Sequence, residues 1–237
     1  MQPPSRLPPR VPRSIGAIKE VCEVDRHAIE ALGAALAGSD RPLVITSGTA
    51  LVTPGRLATE ESVSTTTSAD FPRAASEEAA TSMAARGVRV LVVRLSPSVH
   101  GDGDHGFVPT LISLAREKRV SAYVGDGLNR WTAVHRLDAA HLFRLALENA
   151  TAGTRFHGVA EQGIAYREIA EVIGRRLKIP VVAKSPEEAV NHFGWFAHFA
   201  AIDCPASSKL TQERLRWQPK QPGLIADLDR SARYFAA

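Results

Sequence analysis

The strongest constraint on the fold is an alternation of short apolar runs with helical segments. Residues 88–95 form the most apolar run, and residues 41–47 form a shorter one before it. Neither run alternates apolar with polar residues, which is typical of strands that helices cover on both faces. The sequence therefore predicts an α/β fold. We expect a partial Rossmann-type, doubly wound parallel sheet with a small C-terminal α/β substrate subdomain.

The other predicted elements continue this alternation. Further strands are expected at residues 121–124, 131–135, 155–159 and 180–183. Helices are expected at residues 20–37, 72–86, 107–118, 137–149, 166–177, 186–199, 207–216 and 224–234. The substrate subdomain is expected to draw mainly on residues 107–133 and 160–237.

The first 19 residues have a different character from the rest. They begin MQPPSRLPPRVPRSIG, with repeated prolines and three arginines but no acidic residue. Proline removes a backbone donor and fixes φ, so this stretch is unsuited to a helix or an inner strand. We predict a disordered tail over residues 1–19 and a globular domain over residues 20–237.

Composition excludes several classes of protein. The chain has 237 residues, 44% of them hydrophobic, which is enough for one sizeable core. A net charge of +4 without a basic helix predicts no nucleic-acid partner. The absence of a long apolar run predicts no membrane span. Cys22 and Cys204 lie far apart in the sequence and do not have the close spacing of metal-binding cysteines. We therefore expect reduced thiols in a cytoplasmic protein.

One glycine-rich segment matches a dinucleotide-binding pattern. Residues 101–106 spell G-x-G-x-x-G, precede a predicted helix and have an acidic residue about 20 positions on. However, residues 96–100 separate the glycines from the predicted strand, and Asp102 and Asp104 would repel a pyrophosphate. We therefore interpret the segment as a flexible loop on the substrate side. Its His and Asp residues are adjacent in sequence and seldom converge on a metal by themselves, so no metal site is predicted.

A hydroxyl-rich tripeptide ends the strand at residues 41–47. Ligands of open α/β sheets bind outside the carboxyl ends of the strands, where Thr46, Ser47 and Gly48 stand. A hydroxyl at this point can hydrogen-bond a carbonyl or an alcohol of a substrate. Alternatively, Ser47 only caps a turn. The G-x-S-x-G pattern of a nucleophile elbow is absent around it.

Four segments together resemble the extended short-chain dehydrogenase/reductase family, which contains the nucleotide-sugar epimerases and dehydratases. The resemblance extends from about Glu20 to Phe235, and the segments occur in the family's order. They are T-S-G at 46–48, R-L-S-P-S-V-H-G at 94–101, G-D-G-L-N-R at 125–130 with His135 and Asp138, and S-S-K-L with L-R-W-Q-P between 207 and 219.

The resemblance implies roles for individual residues. Ser47 would match the Ser/Thr that hydrogen-bonds the substrate, with Thr46 and Gly48 beside the cofactor. Pro97 and Val99 would lie next to the nicotinamide ring. Arg130 would match an arginine that reaches a substrate diphosphate, for which a guanidinium fork is suited. His135 and Asp138 would shape the substrate side. Alternatively, Arg130 is a surface residue and His135 an interior histidine.

The first departure from the family concerns catalysis. The family carries a Tyr-x-x-x-Lys pair on the helix after the serine loop, where the lysine lowers the pKa of the tyrosine. Here that helix reads P-R-A-A-S-E-E-A-A from residue 72 and holds neither residue. His100 stands where the family often has a second tyrosine and could titrate in its place. The chain is therefore similar to the atypical members of the superfamily.

The second departure concerns the cofactor. No G-x-x-G-x-x-G segment precedes Glu20, so binding of NAD or NADP is expected to be weakened or lost. We expect the chain to lack the N-terminal βαβ units. The strand at residues 41–47 would then be an exposed edge through which a homodimer or another chain could pair.

The resemblance implies an NAD(P)-dependent epimerase/dehydratase-like oxidoreductase that acts on a sugar-like or carbonyl small molecule. Because the Tyr–Lys pair is absent, two alternatives stay open. The first is a non-catalytic Rossmann-type protein that binds or senses a ligand. The second is an inactive, truncated remnant.

Overall fold

A computed structural model describes residues 15–52, 54–64, 66–149 and 151–236. Its helices are α1 (Ile15–Leu36), α2 (Ala75–Ala85), α3 (Phe107–Lys118), α4 (Arg136–Asn149), α5 (Tyr166–Leu177), α6 (Pro186–Phe193), α7 (Ala197–Ala201), α8 (Lys209–Leu215) and α9 (Leu224–Arg230). Its strands are β1 (Leu43–Gly48), β2 (Val90–Leu95), β3 (Ser98–His100), β4 (Ser121–Val124), β5 (Arg130–His135), β6 (Arg155–Gly158), β7 (Glu161–Ala165) and β8 (Val181–Lys184).

The main sheet is parallel, in the order β1-β2-β6. Ser47 lies opposite Arg94, and Arg94 lies opposite His157, so three polar residues cross the sheet in one row. Helices α1 and α2 cover one face through a cluster that includes Ile45 and Met83. Helix α4 and the Trp217 segment cover the other face. The predicted doubly wound α/β arrangement is confirmed.

Two smaller sheets carry the C-terminal part of the chain. One has the order β3-β5-β7, and the other pairs β4 with β8 in parallel. Their largest core cluster surrounds Trp131 and Tyr166 and draws on α3, α5, α6 and α9. This aromatic core brings α3 and the segment after α6 to the carboxyl ends of β1 and β2.

Several predicted boundaries require correction. The helix begins at Ile15 rather than Glu20, so the tail predicted over residues 1–19 is too long, and residues 1–14 lie outside the described part. The single helix predicted over residues 186–199 is wrong: Gly194 has φ of +57°, which ends α6 before a short turn and α7. A capping box between Ser185, the N-cap residue, and Glu188 begins α6.

Two short strands were missed by the sequence analysis. β3 and β7 have three and five residues, too few to show a period against their polar surroundings. The last two predicted helices are also shorter than expected, ending at Leu215 and Arg230.

The strand β1 is the terminal strand of the main sheet within the described ranges. Beside it, α1 exposes the side chains of Val21, Val24 and Leu32. Pairing of this edge with a second chain stays a prediction. No helix in the described part of the chain is long and apolar enough to cross a membrane. The same residues hold no group of three or more side chains arranged to bind a metal.

Candidate functional site

A cavity of about 330 Å³ opens at the carboxyl ends of β1 and β2. Its floor is the strand ends, one wall comes from α1 and the start of α2, and the opposite wall comes from α3 and the segment after α6. The described residues that line it are Ile18, Cys22, Thr46, Ser47, Gly48, Ala50, Leu51, Phe71, Arg73, Leu95, Ser96, Pro97, Phe107, Trp195 and Phe199. The structure thus brings together four predicted site residues, Thr46, Ser47, Gly48 and Pro97.

Ser47 is a polar lining residue of the cavity whose hydroxyl oxygen is buried. The residue is 3% exposed, and its Oγ makes no hydrogen bond of regular geometry within the described residues. It lies close enough to the Glu77 carboxylate to help lower the pKa of that group, but the arrangement falls short of a hydrogen bond. A buried hydroxyl without a regular partner carries an energetic cost that a ligand oxygen can relieve.

Arg73 is a cavity residue that the sequence analysis missed. It lies in the turn of 3-10 helix at Pro72–Ala74, just before α2. One guanidinium nitrogen donates to Asp25 and Ser76, and another donates to the Thr46 carbonyl over 2.7 Å. These contacts fix a positive charge beside the end of β1.

A buried ion pair between Arg94 and Glu77 lies next to Ser47 at the floor of the cavity. The Arg94 side chain is 1% exposed and makes two 2.8 Å contacts with Glu77, while its third nitrogen donates to the Ser62 carbonyl. Burial alone would raise the pKa of Glu77, but the hydrogen bonds and charge of Arg94 outweigh it and hold that pKa below its ordinary value. An arginine inside an otherwise apolar strand was the sequence signal for this pair.

His157 continues the same row of polar residues into β6. Its Nδ1 is 2.8 Å from the Ser207 carbonyl, and its Nε2 has no partner within the described residues. Burial lowers the pKa of His157 to about 4. We refer to Ser47, Glu77, Arg94 and His157 as the strand-end cluster.

His100 belongs to a different group of side chains and does not line the cavity. It is 1% exposed, and its Nδ1 is 2.9 Å from an Asp227 oxygen. The Tyr234 hydroxyl accepts from the Gly101 amide and contacts an Asp104 oxygen 3.2 Å away. We refer to His100, Asp104, Asp227 and Tyr234 as the loop cluster.

The glycine-rich segment after His100 is held by its own chain. The predicted strand ends at Leu95 as β2, so residues 96–100 do separate the segment from it. The segment is directly preceded by the short strand β3, which was not expected. That strand nevertheless lies outside the main sheet. Asp104 accepts from the Gly106 amide over 2.6 Å, and Asp102 pairs with Arg233. The amides at Gly101 and Gly106 are therefore engaged within the protein, which weighs against a phosphate loop.

The remaining predicted residues also lie away from the cavity. Val99 packs against the cluster under α4. Arg130 forms a two-point ion pair with Asp203, with contacts of 2.9 and 2.8 Å, and its side chain is 45% exposed. His135 accepts from the Leu137 amide at Nδ1, and burial lowers its pKa. Asp138 accepts from the amides of Lys220 and Gln221, a structural role.

The cavity fits one end of a nicotinamide dinucleotide better than the other. Hydroxyls and small residues at the strand ends suit a nicotinamide ring. The pyrophosphate would need backbone amides at a glycine-rich turn between a sheet strand and a helix. Within the described ranges, no strand of the main sheet runs directly into such a turn and helix.

The fold is that of NAD-dependent dehydratases of the extended short-chain dehydrogenase/reductase superfamily. The dTDP-glucose 4,6-dehydratase DesIV from Streptomyces venezuelae, solved with NAD, superimposes with a TM-score of 0.72 at 19% identity, over 94% of this chain and 69% of that one. The NDP-hexosamine 5,6-dehydratase TunA superimposes with a TM-score of 0.70 at 17% identity, over 95% of this chain and 73% of that one. RMD from Pseudomonas aeruginosa, complexed with NADPH, superimposes with a TM-score of 0.65 at 16% identity, over 92% of this chain and 76% of that one.

Sequence comparison identifies nearer relatives. An uncharacterized protein of Schizosaccharomyces pombe is 50% identical over 218 residues, which are 92% of this chain and 73% of the yeast protein. An uncharacterized protein of Saccharomyces cerevisiae is 43% identical over 210 residues, 89% and 70% of the two chains. No family model matches the sequence. The chain belongs to the same family as these two yeast proteins.

Proposed function

We propose that this protein is an NAD(P)-dependent, epimerase/dehydratase-like oxidoreductase of the atypical short-chain dehydrogenase type, acting on a carbonyl or sugar-like small molecule. The observation that carries the proposal is the convergence of Thr46, Ser47, Gly48 and Pro97 on one cavity at the carboxyl ends of β1 and β2. Structures of the same fold were solved with NAD or NADPH, which supports a nicotinamide cofactor here.

Thr46, Ser47, Gly48 and Pro97 would hold the nicotinamide end of the cofactor. When bound in reduced form, the cofactor supplies the hydride that a carbonyl carbon accepts, and it is itself oxidised. Affinity is expected to be weak, since the described residues present no amide cradle for the pyrophosphate.

Ser47 and Arg73 have complementary roles at the substrate oxygen. The Ser47 hydroxyl has no regular partner and can donate a hydrogen bond to the carbonyl oxygen. Arg73, which pairs with Asp25 and donates to the Thr46 carbonyl, holds the end of β1 in position next to that oxygen. An arginine does not release its proton at neutral pH, so the proton that completes the alcohol comes from water through the Ser47 hydroxyl.

Titration of the purified chain with NADH and NADPH tests the proposal. Nicotinamide fluorescence should rise on binding, and Ser47→Ala should weaken the binding or the turnover of a carbonyl substrate. Ser113→Ala is the matched control, since Ser113 is exposed on α3 and outside the cavity lining. No fluorescence change with either cofactor up to millimolar concentration would refute the proposal for this chain.

His100 is still proposed from the sequence as a catalytic residue. Because its Nδ1 is engaged with Asp227 and it lies outside the cavity lining, any catalytic role would act through other groups. The pH profile of His100→Gln decides the point. A profile identical to wild type, with similar turnover, removes His100 from the proposed mechanism.

A binding protein without turnover is the second candidate. None of the three tyrosines of the chain, Tyr123, Tyr166 and Tyr234, lines the cavity, and no lysine of the described residues does so. The usual proton donor of the fold is therefore absent from the site. Cofactor or ligand binding with no turnover across a panel of aldehydes and ketones would favour this candidate. Steady turnover that Ser47→Ala abolishes would exclude it.

A further inference from the structure

The wall of the cavity that faces the strand ends is aromatic. Three of the eight phenylalanines and one of the three tryptophans contribute to it. Phe199 is at its centre, with ring-centroid distances of 4.8 Å to Phe107, 6.1 Å to Phe71 and 6.1 Å to Trp195. Tilted and edge-to-face rings at these distances leave ring faces on which a planar ligand can stack.

Charge is scarce in the same cavity. Among the described residues that line it, Arg73 is the one charged side chain. Its guanidinium already donates to Asp25, Ser76 and the Thr46 carbonyl. A nucleotide-sugar diphosphate carries about two negative charges, and removing them from water requires cations that are free to pair with them. The described residues that line the cavity do not include cations that are free to pair with a diphosphate.

Arg130, the arginine at the family's diphosphate position, does not supply the free cation that a diphosphate needs. Both contacts of its guanidinium with Asp203 are within 2.9 Å, and Asp203 also accepts from the Arg130 amide. Binding a diphosphate there would first have to break a two-point ion pair. The residue is also outside the lining of the cavity.

We propose that the cavity binds a small aromatic ketone or aldehyde, with its rings against Phe107, Trp195 and Phe199 and its carbonyl oxygen on the Ser47 hydroxyl, rather than a nucleotide sugar. This assignment deepens the proposed function and rests on it for the identity of the site. The volume of about 330 Å³ is near the lower end of the range for small-molecule pockets, about 300–1,000 Å³, and suits one or two rings.

The test is calorimetric titration of the full chain, without cofactor, with three probes: 2-acetylnaphthalene, naphthalene and UDP-glucose. We expect 2-acetylnaphthalene to bind most tightly, naphthalene more weakly and UDP-glucose not at all up to millimolar concentration. Ser47→Ala should weaken 2-acetylnaphthalene binding about five-fold and leave naphthalene unchanged, since only the ketone accepts a hydrogen bond. Equal losses for both probes would overturn the assignment of the carbonyl oxygen to Ser47.

Phe199→Leu tests the wall with little change in volume, and Phe143→Leu is its matched control. Phe143 is also partly buried, but it packs under α4 away from the cavity. We expect Phe199→Leu to weaken both aromatic probes at least three-fold and Phe143→Leu to leave them unchanged. Equal effects of the two variants would contradict the proposed wall.

The outcomes separate this inference from the proposed function. Binding of UDP-glucose that Arg130→Ala removes would overturn the inference, as would no binding of either aromatic probe. Binding of the nicotinamide cofactor in either of these cases would leave the oxidoreductase proposal standing. Aromatic binding without any cofactor binding would support the ligand class and count against the oxidoreductase.

Discussion

The strand-end cluster and the loop cluster are both groups of buried and half-buried polar side chains, but they differ in how many of their polar atoms have hydrogen-bond partners. In the strand-end cluster, Ser47 Oγ and His157 Nε2 make no hydrogen bond of regular geometry within the described residues, and Ser47 lines a cavity. In the loop cluster, His100 contacts Asp227, and Tyr234 bonds to Gly101 and Asp104. Both clusters border a cavity, since Asp104 and Tyr234 line one of about 360 Å³. The loop cluster uses its hydrogen bonds within the protein, whereas the strand-end cluster retains polar atoms without a regular hydrogen bond.

This difference shows why a sequence pattern and a binding site need not coincide. The G-x-G-x-x-G pattern lies in the loop cluster, where protein groups already occupy the amides at both its ends. The cavity beside the strand-end cluster has no such pattern, but Ser47, Arg73 and an aromatic wall line it. Binding requires groups that are both convergent and unsatisfied.

Among the changes predicted for the strand-end cluster, loss of the buried Arg94–Glu77 ion pair should reduce stability most. We expect Glu77→Gln to lower the free energy of unfolding by about 3–5 kcal/mol, because Arg94 would keep an uncompensated charge in the interior. Urea denaturation followed by circular dichroism measures the change. Glu148→Gln, which breaks the exposed Arg144–Glu148 pair on α4, is the matched control and should have a far smaller effect. Similar losses for the two variants would mean that the Arg94 pair is not buried as described.

Acid should destabilise the strand-end cluster through His157. Its folded pKa of about 4 lies below the unfolded value of about 6.5, so between these values the unfolded chain binds more protons. The stability that His157 contributes is complete above about pH 6.5 and is lost as the pH falls through 4, by up to about 3 kcal/mol.

Urea unfolding at pH 7, 5.5 and 4.5 measures this dependence for the wild type and His157→Gln. The variant should lose less stability than the wild type between pH 7 and 4.5. His141→Gln is the control, since His141 is exposed on α4, and it should follow the wild type. Superimposable profiles for all three proteins would mean that His157 is not held neutral by burial.

Removal of one hydroxyl tests whether the loop cluster is structural. Tyr234→Phe leaves the Gly101 amide and one Asp104 oxygen without their Tyr234 partner, so we expect a loss of about 1–2 kcal/mol in unfolding free energy. Cofactor and 2-acetylnaphthalene affinities should stay at their wild-type values. A marked fall in either affinity with little loss of stability would show that the loop cluster, too, serves binding.

The smallest effect is expected at the exposed pair on β5. Arg130→Ala should change the unfolding free energy by less than about 1 kcal/mol, since an ion pair open to water contributes little. It should not alter binding of 2-acetylnaphthalene. A large loss of ligand affinity would instead restore Arg130 to the site that the family resemblance implies.

Much of the fold was predictable from sequence because burial on both faces leaves a strong pattern. The strands at residues 43–48 and 90–95 and the helices at residues 107–118 and 166–177 were all expected, within two residues or without error. The site was predictable in part. Thr46, Ser47, Gly48 and Pro97 converge on the cavity, while Val99, His100, Arg130 and His135 do not line it. Arg73, Phe107, Trp195 and Phe199 were missed, since nothing local marks them as neighbours.

The sequence by itself determined the α/β class, the order of the elements and the absence of a Tyr–Lys pair on α2, because these depend on local period and residue identity. Tertiary structure decided which polar groups stay unsatisfied. His100 and Ser47 read alike as candidate hydrogen-bonding residues, but Asp227, 127 positions from His100, engages one of them and no regular partner reaches the other. A hydrogen bond depends on the distance between atoms rather than along the chain, so only the folded chain distinguishes them.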